Sequence, residues 1–145
     1  YWGDWHRDSV LGAERAAHIS PAQSALERGI VYTSHNDAPV TPPNSRMMLY
    51  SQVNRLTRSG RVLGPDERVT PRQAVEAITS SAARQLFEES RKGTIEPGKL
   101  ADLVIVDRNP LTMPAEELMD LQVLETIKEG ETVWRRDAEA TTAAR

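Results

Sequence analysis

Apolar residues along this chain follow two different periods, and the change between them divides the sequence. Up to about residue 92 the apolar positions recur at helical spacing. Leu49, Val53 and Leu56 share one face of a segment that Asn44 can cap, which predicts a helix over 45–58. Ala74, Val75, Ala77, Ile78 and Ala82 form a narrow face of small residues. Before them, Thr70-Pro-Arg-Gln73 reads as a capping box with proline at the first helical position, and together they predict a helix over 71–87. Ser20-Pro21 before Ala22 and Gly29 after Arg28 delimit a shorter helix, near 20–28.

Four stretches read as strands. Ile30-Val-Tyr-Thr33 follows Gly29 and consists of β-formers, so a strand is expected near 31–34. Prolines 39, 42 and 43 then forbid a long helix or a central strand. From Gly93 the period becomes that of strands and turns. Leu103-Val-Ile-Val106 is a continuous apolar run of the kind buried on both faces, within a strand near 102–106. Strands near 123–128 and 132–135 flank Glu129-Gly130 as a hairpin, and Pro114 to Leu118 fits one helical turn. The first 12 residues are aromatic-rich and lack helical periodicity, which predicts a loop. Residues 137–145 contain only Ala, Thr and charged residues, which predicts a frayed tail.

Composition narrows the chemistry. The 145 residues suit one ordinary domain, and a net charge of −3 without a basic run argues against a nucleic-acid partner. No apolar run approaches the roughly 18 residues of a membrane span. Zero cysteines exclude disulfides and thiolate chemistry. A cytoplasmic location is the default expectation. The chain opens on Tyr1 without a signal-peptide pattern, and the expectation is an internal start.

Asp37 is the residue around which a function can be built. It is expected just past the carboxyl end of the 31–34 strand, the end at which helix-wrapped sheets bind ligands and carry out chemistry. A carboxylate there can bind a metal, act as a general base, or cap the turn. His35, two residues earlier, would share a strand face with it as a second candidate metal ligand. Asp4, His6 and Asp8 would lie on one side of an extended segment, as a metal cluster or as a solvated acidic face.

Three segments carry a family resemblance. His35-Asn-Asp-Ala-Pro-Val-Thr-Pro-Pro43 resembles the metal-site aspartate segment of the amidohydrolase superfamily. Gly93-Thr-Ile-Glu-Pro-Gly-Lys-Leu-Ala-Asp-Leu-Val-Ile-Val-Asp107 is similar to the stretch where those enzymes leave their barrel and re-enter a small β-domain. Val123-Leu-Glu-Thr-Ile-Lys-Glu-Gly-Glu-Thr-Val-Trp134 resembles their closing hairpin. The opening Tyr-Trp-Gly-Asp-Trp-His-Arg-Asp and Leu11-Gly-Ala-Glu-Arg-Ala16 resemble the amidohydrolase-3, or YtcJ-like, branch, which includes N-substituted formamide deformylases.

The resemblance implies an α/β fold, with residues 1–92 as the carboxyl-terminal part of a (β/α)₈ barrel and 93–136 as part of a small β-sandwich. It implies hydrolysis of a small-molecule amide or formamide C–N bond by water activated on a divalent metal, zinc by expectation, with Asp37 as metal ligand and proton acceptor. A catalytic zinc takes three protein ligands, and this chain has only His6, His18 and His35, with no His-x-His pair. The expectation is therefore a piece of an enzyme, inactive alone. The alternative is a non-catalytic module that self-associates or joins another chain through exposed sheet edges. A complete small enzyme using Asp37 and His35 as an acid/base pair is the third reading.

Overall fold

The computed structural model describes residues 1–137, so the tail expected at 137–145 lies almost entirely outside the described residues. Helical segments fill the first part: α1 (Gly3–Trp5), a π-helical turn (His6–Leu11), α2 (Gly12–Ala16), α3 (Ala22–Glu27), α4 (Ser45–Asn54), α5 (Pro71–Ile78) and α6 (Ser80–Gln85). An antiparallel sheet follows, of β1 (Leu103–Val106), β2 (Val123–Lys128) and β3 (Glu131–Arg135), in the order β1-β2-β3. Leu103 pairs with Ile127, and Thr126 with Trp134. This α/β arrangement is held by one core across the change of period. Leu49, Val53, Val69 and Ala74 pack with Leu118 and Leu121, and Val106 leans on the same cluster.

Local capping explains much of the helical part. The Asn44 side chain accepts from Arg46 N and Met47 N, and Thr70 and Gln73 form the reciprocal box that starts α5. A 3₁₀ turn at Ala115–Asp120 stands where one helical turn is expected.

The structure departs from the local pattern in six places. Residues 3–12 are helical, because the Asp4 carboxylate accepts from Thr57 Oγ1 (2.8 Å) and Ser59 N (3.0 Å), which holds that segment against the 57–61 turn. Helix α4 stops at Asn54 rather than 58. Arg55 turns left-handed (φ 56°), and residues 55–63 fold back on themselves through Leu63 N to Arg55 O (2.9 Å). Thr79 (φ −125°, ψ −89°) splits the expected 71–87 helix into α5 and α6.

Residues 31–34 form no strand, since among the described residues nothing pairs alongside them; Ser34 N reaches only Ala77 O, at 3.3 Å. The middle of β1 is not buried on both faces either. Val104 and Ile105 are 57% and 44% exposed, because no described element covers them. Finally, Ser20 does not cap α3. It lies at φ 50°, Pro21 occupies the cap position without a side-chain bond, and a distant residue supplies the missing acceptor.

Candidate functional site

Residues 32–37, beyond the end of α3, run along a groove of about 670 Å³, which Tyr32, His35, Asp37, Gln52, Arg55 and Glu67 help to line. Tyr32 fixes the middle of this run. Its hydroxyl donates to Gln52 Oε1 (2.8 Å), its ring leans on the core, and burial pushes its pKa up to about 12.

Asp37 follows in a left-handed conformation (φ 54°), which Asp tolerates better than most residues. The turn closes on the Asp37 main chain: Val40 N donates to Asp37 O (2.7 Å). The Asp37 carboxylate accepts no hydrogen bond among the described residues, so it does not cap the turn. It is an exposed side chain at the groove, free for a proton, a metal or a substrate.

His35 has a different place. Its Nδ1 accepts the Asp37 amide N–H (3.1 Å). An acceptor at Nδ1 puts the proton of the neutral ring on Nε2 by inference from that partner, the tautomer least suited to binding a metal through Nε2. The geometry therefore makes His35 a prop for the Asp37 turn.

The loop containing Asp37 is tied down on both sides. Thr41 Oγ1 donates to Asn36 O, and Trp2 Nε1 donates to Val40 O (3.2 Å) from the other end of the sequence. Of the Asp4, His6 and Asp8 set, only His6 reaches the groove lining. Asp4 is taken up by Thr57 and Ser59, and Asp8 pairs with Arg61 (3.1 Å). Bonds from Ser59 and then Thr57 hold the Asp4 carboxyl below its ordinary pKa.

Two polar groove residues escape a sequence reading. Glu67 is only 4% exposed, and its carboxylate takes both the amide (3.0 Å) and the hydroxyl of Ser24. Arg55 donates to Ile19 O (2.7 Å), Ser20 O (3.2 Å) and Leu63 O (2.9 Å), and burial lowers its pKa. Their partners lie 8–43 residues away, so no local spacing announces them.

Among the described residues, no three or more of His, Asp and Glu come close enough to hold one metal ion. Those residues alone do not make a metal site. Asp37 supplies one open oxygen donor, compatible with one position in a shell completed by other groups.

Similarity to known proteins gives this carboxylate its context. The model of the Amidohydrolase family matches residues 1–134. An N-substituted formamide deformylase of Arthrobacter pascens is 34% identical over 131 residues, covering 89% of this chain and 24% of that enzyme. The putative amidohydrolase YtcJ of Bacillus subtilis is 22% identical over 129 residues, covering 87% of this chain and 24% of that protein. The crystal structure of an amidohydrolase from Thermotoga maritima superposes with a TM-score of 0.58 at 25% identity, over 77% of this chain and 24% of that one. The chain thus spans about a quarter of the length of these relatives. On the family match over residues 1–134 and the formamide deformylase likeness, this chain belongs to the amidohydrolase family.

Proposed function

We propose that this chain is the carboxyl-terminal part of a metal-dependent hydrolase of non-peptide C–N bonds, of the amide or formamide type, and that Asp37 is its proton-transfer group. The observation that carries this reading is the Asp37 carboxylate itself, free of partners at the groove while its own main chain is fastened around it. The likeness to an N-substituted formamide deformylase supports the choice of bond class. In this reading residues 1–92 complete a (β/α)₈ barrel, with 31–34 as its last strand once neighbouring strands are present, and 93–136 complete a small β-sandwich.

A divalent ion, zinc by proposal, would supply a water whose pKa is lowered toward neutrality, with Asp37 as one of its protein ligands. Asp37 would take the proton of the attacking water on a carboxylate oxygen and deliver it to the leaving nitrogen. Tyr32 and Gln52 would form a polar wall beside the substrate, and Trp2 and Thr41 would keep the loop closed against it. With one open donor among its described residues, the chain by itself would not turn substrate over.

A second reading has its own support. Every residue of β3 is exposed, Val133 and Trp134 among them (59% and 48%), and an open edge strand invites another strand. A non-catalytic module assembling through that edge would form dimers or larger species, which light scattering detects.

Metal content of the intact protein, with hydrolysis of a panel of N-substituted formamides and amides before and after chelation, separates the two. The enzyme reading expects turnover that chelation abolishes and zinc restores. Turnover indifferent to chelation, or a metal-loaded protein that hydrolyses no C–N bond in the panel, overturns it.

A further inference from the structure

We propose that Asn36 is a positioning residue for Asp37, acting through an amide clasp on Asn44; this rests on the reading of Asp37 as the proton-transfer group. With its amide oriented as its surroundings require, Asn36 accepts from Asn44 N (3.0 Å) and donates to Asn44 O (3.3 Å). The two residues thereby close the 36–44 loop at its base, in the manner of one rung of a strand pair. Asn44 is itself fixed, because its side chain caps α4 by accepting from Arg46 N (3.0 Å) and Met47 N (3.4 Å). The clasp therefore fastens the residue next to Asp37 to the first turn of a ten-residue helix whose Leu49 and Val53 are core.

Three further ties hold the backbone on either side of the Asp37 side chain. Thr41 holds the Asn36 carbonyl, His35 holds the Asp37 amide, and Val40 holds the Asp37 carbonyl. The Asp37 carboxylate alone is left without a partner among the described residues. A loop that only needed to be stable would gain by using that carboxylate as a cap. Fixing the backbone through Asn36 instead sets where the carboxylate stands and leaves both oxygens available. Polar groups that orient a reacting residue typically cost 10–100-fold when removed, and an error of about 1 Å in position costs about 100-fold.

The test compares Asn36→Ala, Asn36→Asp and Asp37→Asn in the intact protein, with an N-alkylformamide as probe and hydrogen exchange of the 36–44 amides read in parallel. Asn36→Ala should raise exchange at the Val40 amide at least tenfold and lower kcat 10–100-fold, with KM within about twofold. Asn36→Asp keeps the acceptor for Asn44 N and loses the donor, and should fall between wild type and Ala in exchange. Unchanged Val40 exchange in Asn36→Ala overturns the clasp whether or not the probe is turned over. Asn36→Ala with kcat within threefold of wild type, beside an inactive Asp37→Asn, overturns the positioning role and leaves Asp37 as the base. An active Asp37→Asn removes the base reading and this inference with it.

Discussion

Replacing Glu67 with alanine tests how the groove floor is built. Helix α3 begins at Ala22 without a side-chain cap of its own, and its third residue, Ser24, donates its amide to Glu67 across 43 residues of sequence. That amide is one of the four a helix start leaves unpaired, so Glu67 is an N-cap supplied from outside the helix. A carboxylate there also meets the positive end of the helix. Losing a cap costs about 1 kcal/mol, and losing the charge-assisted bond from the Ser24 hydroxyl adds roughly 1–2 kcal/mol. We expect Glu67→Ala to lower the local opening free energy of α3 by about 2–3 kcal/mol, or roughly 30- to 150-fold in amide exchange at Ala25 and Arg28.

The same residue gives a pH dependence. The Ser24 hydroxyl, then the Ser24 amide, hold the Glu67 carboxyl below its ordinary value; desolvation pushes the other way, and Arg55 and His18 add smaller downward effects. A carboxyl lowered in the folded state contributes stability that is complete above its unfolded pKa, about 4.3, and is lost as pH falls through the folded value. Protection of α3 should therefore weaken below about pH 4 in the wild type, and Glu67→Gln should flatten that limb. Hydrogen exchange by mass spectrometry on the intact protein reads both effects. Exchange of α3 within threefold of wild type in Glu67→Ala would refute the capping role.

Three further perturbations follow from local geometry. A β-carbon at Gly64 (φ 62°) would lie 1.9 Å from the Ala17 carbonyl oxygen, rigid backbone on both sides, so Gly64→Ala should cost about 4 kcal/mol or more and yield little folded protein on expression; a soluble variant with native melting would contradict this. Thr70→Ala breaks the box that starts α5 and should cost about 0.5–2 kcal/mol in urea unfolding. Asp37→Ala should lose roughly 1 kcal/mol because alanine resists the left-handed region, while Asp37→Asn should melt like wild type; equal melting of all three would show that φ at this position is not constrained.

What could be read in the sequence was what neighbouring residues decide among themselves. The Asn44 cap, the Thr70 box, the Glu129-Gly130 hairpin and the placement of Asp37 on a stiff loop all rest on residues within a few positions of one another. Ser20-Pro21 carried the local signal of a cap, yet a carboxylate from position 67 took the role and freed Ser20 to turn left-handed. The aromatic opening read as a loop because its helicity depends on Asp4 and Asp8 meeting the 57–61 turn. Residues 31–34 and the middle of β1 carry the composition of buried strands, but a strand is completed by its neighbours, and composition cannot supply them. At the site, the sequence left the role of Asp37 open between chemistry and a turn cap; only its unpaired carboxylate removes the turn-cap reading.

Turnover of Asp37→Asn in the intact protein, with bound metal quantified in the same preparation, tests the central claim most directly. Asparagine keeps the shape and tolerates the left-handed backbone, but it cannot accept a proton from water. General-base catalysis contributes roughly 10²–10⁴-fold, so a variant that melts like wild type and retains its metal should lose at least about 100-fold in kcat. A metal-loaded Asp37→Asn protein with near-native turnover would contradict the account.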